Sequence, residues 1–217
     1  MNVYFSNGEF GSTLAWRLLF FAHLNEETVL ISIVYDSGYG HTAKQAKAVA
    51  QGVLKVAGAR VELIPLADGK TPWETLETSD AIVFGAPTYN GAPSARFKQF
   101  CEDSTRPAWV GMKWRDKVAA GFTNSGAQNG DKLHSLISMA LFGAQHGMLW
   151  VGLDLKPGND NSHGSVHDLN RLGSWLGAMA QSNGDQGPEQ APIQSDLDTA
   201  AYLGQRVART ASRLNRN

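Results

Sequence analysis

Apolar runs and helical periodicities alternate along the chain. Thr28 to Tyr35 is nearly all apolar and β-branched, the pattern of a strand buried on both faces. A polar loop follows, and then Ala43, Ala46, Val49, Ala50, Val53, Leu54 and Ala57 recur at helical spacing, with Gly58 placed to end the helix. Arg60 to Pro65 reads as a second strand, Pro72 to Glu77 as a short helical linker and Asp80 to Gly85 as a third strand. After the loop from Ala86 to Gly91, Pro93 suits a first helical turn, and Phe97, Phe100 and Cys101 form that helix's inner face. Lys117 to Phe122 is the fourth strand, Thr123 to Gly130 its loop, and Leu133, Leu136, Ile137, Ala140 and Leu141 line the next helix. Met148 to Leu153 is the fifth strand.

Residues 154–194 are rich in Gly, Asn, Gln and Pro and show weak periodicity, as functional or irregular loops do. Asn170 to Ser182 is compatible with helix or extended chain. The last helix opens on a capping box at Ser195 and Asp198 and turns Leu197, Ala200, Ala201, Gly204, Val207, Ala208, Ala211 and Leu214 inward. Strands alternating with helices imply an α/β fold on a mostly parallel sheet, with ligands bound beyond the carboxyl ends of the strands. Residues 28–217 form that domain. Residues 1–27 read as an extension: a short docking helix, an unnatural start or vector sequence.

Composition adds exclusions. With 217 residues, 18% charged, 42% hydrophobic and a formal net charge of -1, the chain is an ordinary globular one. Nothing in that balance points to nucleic acid or an acidic docking face. No apolar run suits a membrane span and no leader pattern precedes Arg17, so the expected location is the cytoplasm, without membrane insertion. Cys101 is the single cysteine and reads as a small buried apolar residue. No His, Cys and carboxylate spacing suggests a metal, and His163 and His167 receive no role.

Three loops carry the chemistry. Ser37-Gly38-Tyr39-Gly40-His41-Thr42 joins a strand to a helix, where free backbone N–H groups, two hydroxyls and an imidazole can cradle a phosphate. A plain turn and a dinucleotide fingerprint through Gly38, Gly40 and Ala43 compete with that reading. The fingerprint lacks its acid, since Glu62 falls inside a strand. Pro87, Thr88, Tyr89, Asn90 and Gly91 can face a flat heteroaromatic ring. Thr123, Asn124, Ser125, Gly126 and Gln128 can hydrogen-bond the ribityl chain or carbonyl edge of a flavin.

Taken with Gly85-Ala86-Pro87-Thr88 and Gln145-His146-Gly147-Met148, the first loop resembles the WrbA-type branch of the flavodoxin-like superfamily. The resemblance covers about residues 28–217. It implies a three-layer sandwich on a five-stranded parallel sheet of order 2-1-3-4-5, FMN as cofactor and NADH or NADPH as co-substrate. It also implies ping-pong transfer of two electrons to a quinone-like acceptor, and a homodimer or homotetramer whose neighbouring subunits help enclose the site. Ser37 to Thr42 would hold the phosphate, with Tyr39 near the nicotinamide nucleotide. Thr88, Tyr89, Asn90 and Thr123 to Gln128 would line the ring. His146 would sit beside the flavin and donate to the acceptor, or instead cap the preceding helix, and Trp109 would cover the acceptor pocket. The chain departs from the pattern in its shorter segment between strands two and three, in Tyr89-Asn90 and in a third loop poorer in glycine. A flavodoxin-type electron carrier and an FMN-binding sensor are the alternatives.

Overall fold

The computed structural model describes residues 28–215, so the extension at 1–27 lies outside the described residues. Three strands form the centre of the sheet because their sequences are apolar on both faces: β1 (Val29–Tyr35), β3 (Ala81–Tyr89) and β5 (Val118–Ser125) are almost wholly buried. β2 (Ala59–Pro65), with Arg60, Glu62 and Leu63 exposed, is an edge. The order is β2-β1-β3-β5-β6, where β6 is Leu149–Trp150, and every pair on this path is parallel. This is the expected topology.

The fifth position is split. β6 pairs with Val118 and Ala119, whereas β7 (Ala178–Gln181) pairs with Phe122 to Ser125 on the same flank of β5. Residues 151–177 leave and rejoin that flank, so the expected strand Met148–Leu153 is cut to two residues and the undecided segment ends as strand. Asn170 anchors the excursion, donating from Nδ2 to the Leu155 and Ser174 carbonyls at 2.7 and 2.9 Å. The buried ion pair Arg171–Asp196, both nitrogen–oxygen contacts at 2.8 Å, fastens it to the last helix.

Helices cover both faces. α1 (His41–Val53) and α5 (Gln194–Asn215) pack over one face, with Ile31, Ile33, Val83 and Val207 among its buried residues. α2 (Trp73–Thr78), α3 (Ala95–Asp103) and α4 (Lys132–Gln145) pack over the other, around Phe84, Phe97, Phe100, Trp114 and Phe142. α1 and α5 meet backbone to backbone. A Cβ on Gly204 would lie 2.0 Å from the Val49 carbonyl oxygen, and one on Gly52 closer still to that of Ala201.

Several local readings change. α5 begins at Gln194, so Ser195 lies inside the helix and donates to the Val166 carbonyl at 2.7 Å, and the capping box does not form. Leu214 is exposed. Pro93 belongs to β4 (Ala92–Pro93), a short antiparallel return onto β3, and Ser94 caps α3. The inner face of α4 is Leu136, Met139, Phe142 and Gly143. Leu133, Ile137 and Leu141 form an outward stripe, because this helix is apolar on more than one side.

Candidate functional site

The loops after β1, β3, β5 and β7 converge at the carboxyl edge on a cleft of about 600 Å³. That volume lies in the range of small-molecule sites. Tyr39, His41 and Thr42 form one wall, Pro87 and Tyr89 a second, and Asn124, Ser125 and Gly126 a third. Ser182 and the segment Gly184 to Gly187 complete it.

In the first loop Ser37 Oγ accepts from the amides of Gly40 and Ala43, both at 3.1 Å. That pair folds the loop, and Gly40 adopts φ 89° to complete it. The amides that open α1 have no intrahelical acceptors and carry the positive end of the helix dipole. Thr42 is buried beside them. His41 Nε2 donates to the Gln186 carbonyl at 2.8 Å, tying the first wall to the last. Asp36, buried at the end of β1, would repel an anion, but Arg96 Nη1 lies 2.6 Å from its carboxylate.

Gly38 leaves room for the second wall. A Cβ there would come within 2.5 Å of the Tyr89 hydroxyl. Tyr39 and Tyr89 meet edge to face, ring centroids 6.4 Å apart, and both are exposed at the mouth. Burial, then the neighbouring Tyr39 and Asp36, raise the Tyr89 pKa and keep its phenol protonated. Below, Thr88 Oγ1 bonds Thr123 Oγ1 at 2.8 Å and Ser135 Oγ at 2.7 Å. These two threonines brace the walls and do not line the cleft. Asn90 and Gly91, both with positive φ, form the tight turn between β3 and β4.

Asn124 Nδ2 donates to Ser182 Oγ at 2.8 Å, and the Ser182 amide to the Ser125 carbonyl at 3.0 Å. Gln128 contributes its carbonyl to Lys132 and stays off the cleft lining. The Ser182–Gly187 wall is the part that sequence reasoning missed. Its signal was a polar, glycine-bearing loop after a strand of only four residues.

His146 and Trp109 are brought together, but away from this cleft. His146 ends α4 just before Leu149, which pairs with the first residue of β5. Ser125 is the last residue of that eight-residue strand, which spans roughly 23 Å at about 3.3 Å per residue. His146 therefore does not stand beside a flavin held by its own chain. Its ring stacks on Trp114 at 4.3 Å, Nε2 bonds Ser104 Oγ at 3.1 Å, and Nδ1 is buried without a partner among the described residues. Burial pushes its pKa down to about 4. With half-exposed Trp109 and half-buried Cys101 it lines a second hollow of about 550 Å³. Burial pushes the Cys101 thiol up to about 12, as the apolar reading expects.

The sheet, its switch between β1 and β3, and a phosphate-ready helix start at that switch define the flavodoxin-like class. A family model described as NADPH-dependent FMN reductase matches residues 68–153. Flavodoxin FldP of Pseudomonas aeruginosa is 42% identical over 187 residues, covering 84% of this chain and 97% of that protein. An Archaeoglobus fulgidus protein named NAD(P)H dehydrogenase (quinone) is 34% identical, covering 85% and 98%. The crystal structure of a flavodoxin, WrbA-like protein from Agrobacterium tumefaciens is 39% identical with a TM-score of 0.65, covering 86% and 99%. The chain belongs to the WrbA-type branch of the flavodoxin-like superfamily. It is an oxidoreductase that uses FMN and NAD(P)H. Among the described residues no helix is long and apolar enough to cross a membrane.

Proposed function

We propose that the chain passes two electrons from NAD(P)H to a quinone-like acceptor, the two substrates using the cleft in turn in a ping-pong cycle. The observation that carries this reading is the convergence of four loops on one cleft, with the donor-rich start of α1 at its floor. The residues fit FMN. The amides of His41 and Thr42 and the Thr42 hydroxyl would hold the phosphate, and the Asp36–Arg96 pair removes a repulsive charge. Pro87, Tyr89 and the Asn124–Gly126 wall would hold the ring and its polar edge. Bound FMN supplies the two-electron chemistry. Tyr39 and Tyr89 offer aromatic surface at the mouth, on which a nicotinamide or quinone would stack.

Trp109 and His146 would take part only across a homo-oligomer, where the hollow of one subunit would face the cleft of another. The exposed Leu133, Ile137, Leu141 and Val110 support such a contact. Sedimentation would then find a dimer or tetramer. Mixing the FMN-loaded protein with NADH or NADPH and benzoquinone tests the activity. Nucleotide oxidation that needs both FMN and quinone is expected. The likeness to a protein named flavodoxin favours a second reading, an electron carrier, and tight flavin without turnover would select it.

A further inference from the structure

Lys132 opens α4 with its side chain wholly buried. Its Nζ donates to Ser125 Oγ at 2.8 Å and to the carbonyls of Ala127 and Gln128 at 2.7 and 2.8 Å. All three acceptors are neutral, and all belong to the loop whose Ser125 and Gly126 wall the cleft. Asp196, the carboxylate that attracts it from a distance, is already held by Arg171. A cation at the start of a helix also opposes the helix dipole. Burial lowers the lysine's pKa to about 8, so the ammonium persists at neutral pH. The cleft therefore has a desolvated positive charge one hydrogen bond behind its wall. Its lining carboxylate, Asp185, is exposed and screened by solvent, and Asp36 is paired.

We propose that Lys132 is a positioning residue that shapes the Ser125–Gln128 wall and biases the cleft toward the reduced, more negative form of its flavin. An isoalloxazine ring that takes up two electrons and one proton gains one negative charge, and a buried ammonium at low effective dielectric favours that state. The inference rests on the flavin reading above.

The test measures dissociation constants for oxidised and for anaerobically reduced FMN in the wild type, Lys132→Met and Lys132→Arg, with folding checked by circular dichroism. The Met variant should lose about tenfold in the preference for reduced over oxidised FMN, a fall of about 30 mV in the two-electron potential. The Arg variant should keep the wild-type preference. Equal weakening of both forms would make Lys132 a mechanical clamp and overturn the charge assignment, as would no change in either. If the Met variant does not fold, the wild type decides. It must bind reduced FMN at least as tightly as oxidised FMN, and the opposite preference overturns the inference. Failure of the wild type to bind FMN in either state would instead overturn the flavin reading.

Discussion

Replacing Gly204 by Ala tests how closely α1 and α5 are locked. In an open helix the change gains about 1 kcal/mol from lower backbone entropy in the unfolded chain. Here the new methyl would stand 2.0 Å from the Val49 carbonyl oxygen. Ordinary contact begins beyond about 3.5 Å, so one helix must retreat by more than about 1 Å. The obstacle is backbone in the middle of a packed helix, so no rotamer change relieves it. Overpacking of this kind costs up to about 3 kcal/mol, which leaves a net loss of about 2 kcal/mol. For a domain of this size that lowers Tm by about 4–8 °C. Urea unfolding of the FMN-free protein, followed by tryptophan fluorescence, should show a lower midpoint at unchanged slope. FMN affinity should fall as well, because α1 carries the cradle at its start. Gly143→Ala is the control. Its Cβ would meet Ala119 Cβ at 3.4 Å and Trp150 at 3.6 Å, ordinary contacts, so that variant should be neutral or gain about 0.5 kcal/mol. The reasoning is refuted if Gly204→Ala is as stable as the wild type, or if Gly143→Ala loses as much.

Three other outcomes follow from the geometry. His146 titrates near 6.5 when unfolded and near 4 in the fold, so its contribution is intact above about pH 6.5 and is lost as pH falls toward 4. The whole shift is worth about 3 kcal/mol. The stability difference between wild type and His146→Phe should vary with pH across that window, and a flat difference contradicts the assignment. Gly40→Val places a β-branched side chain at φ 89° and drives its Cβ to 2.9 Å from Pro188, so FMN affinity should drop at least about tenfold. An unchanged FMN dissociation constant would reject the cradle. Thr88→Val removes the hydroxyl shared by Thr123 and Ser135 and should cost about 2 kcal/mol in thermal unfolding, whereas an unchanged Tm would show the network to be dispensable.

Three walls of the cleft were legible because each follows an apolar run, Val29–Tyr35, Ala81–Gly85 and Val118–Phe122, whereas the strand order came with the family resemblance. The Ser182–Gly187 wall was not, since β7 has four residues and pairs only with distant β5. Pattern cannot register a strand that tertiary pairing alone creates. Lys132 escaped notice for a related reason. A lysine at a helix start reads as a solvated charge, and only the loop folding back over it provides its three acceptors. The alanine and leucine spacing of α4 fits two faces, and the sheet selects the one that carries Met139 and Phe142. His146 was assigned through resemblance, and a single chain puts it at the opposite end of β5 from the cleft.

The divided edge of the sheet makes residues 151–177 an excursion spliced into one position of the sheet, rooted in the core by Val151 and Leu153. Both of its ends are registered on β5, and Asn170 and the Arg171–Asp196 pair moor its return. Length can therefore be added in its exposed stretch, residues 159–163, without shifting the frame that presents Ser182 to the cleft. The excursion is thus free to change in length while the walls of the cleft, which take no residue from it, keep their places.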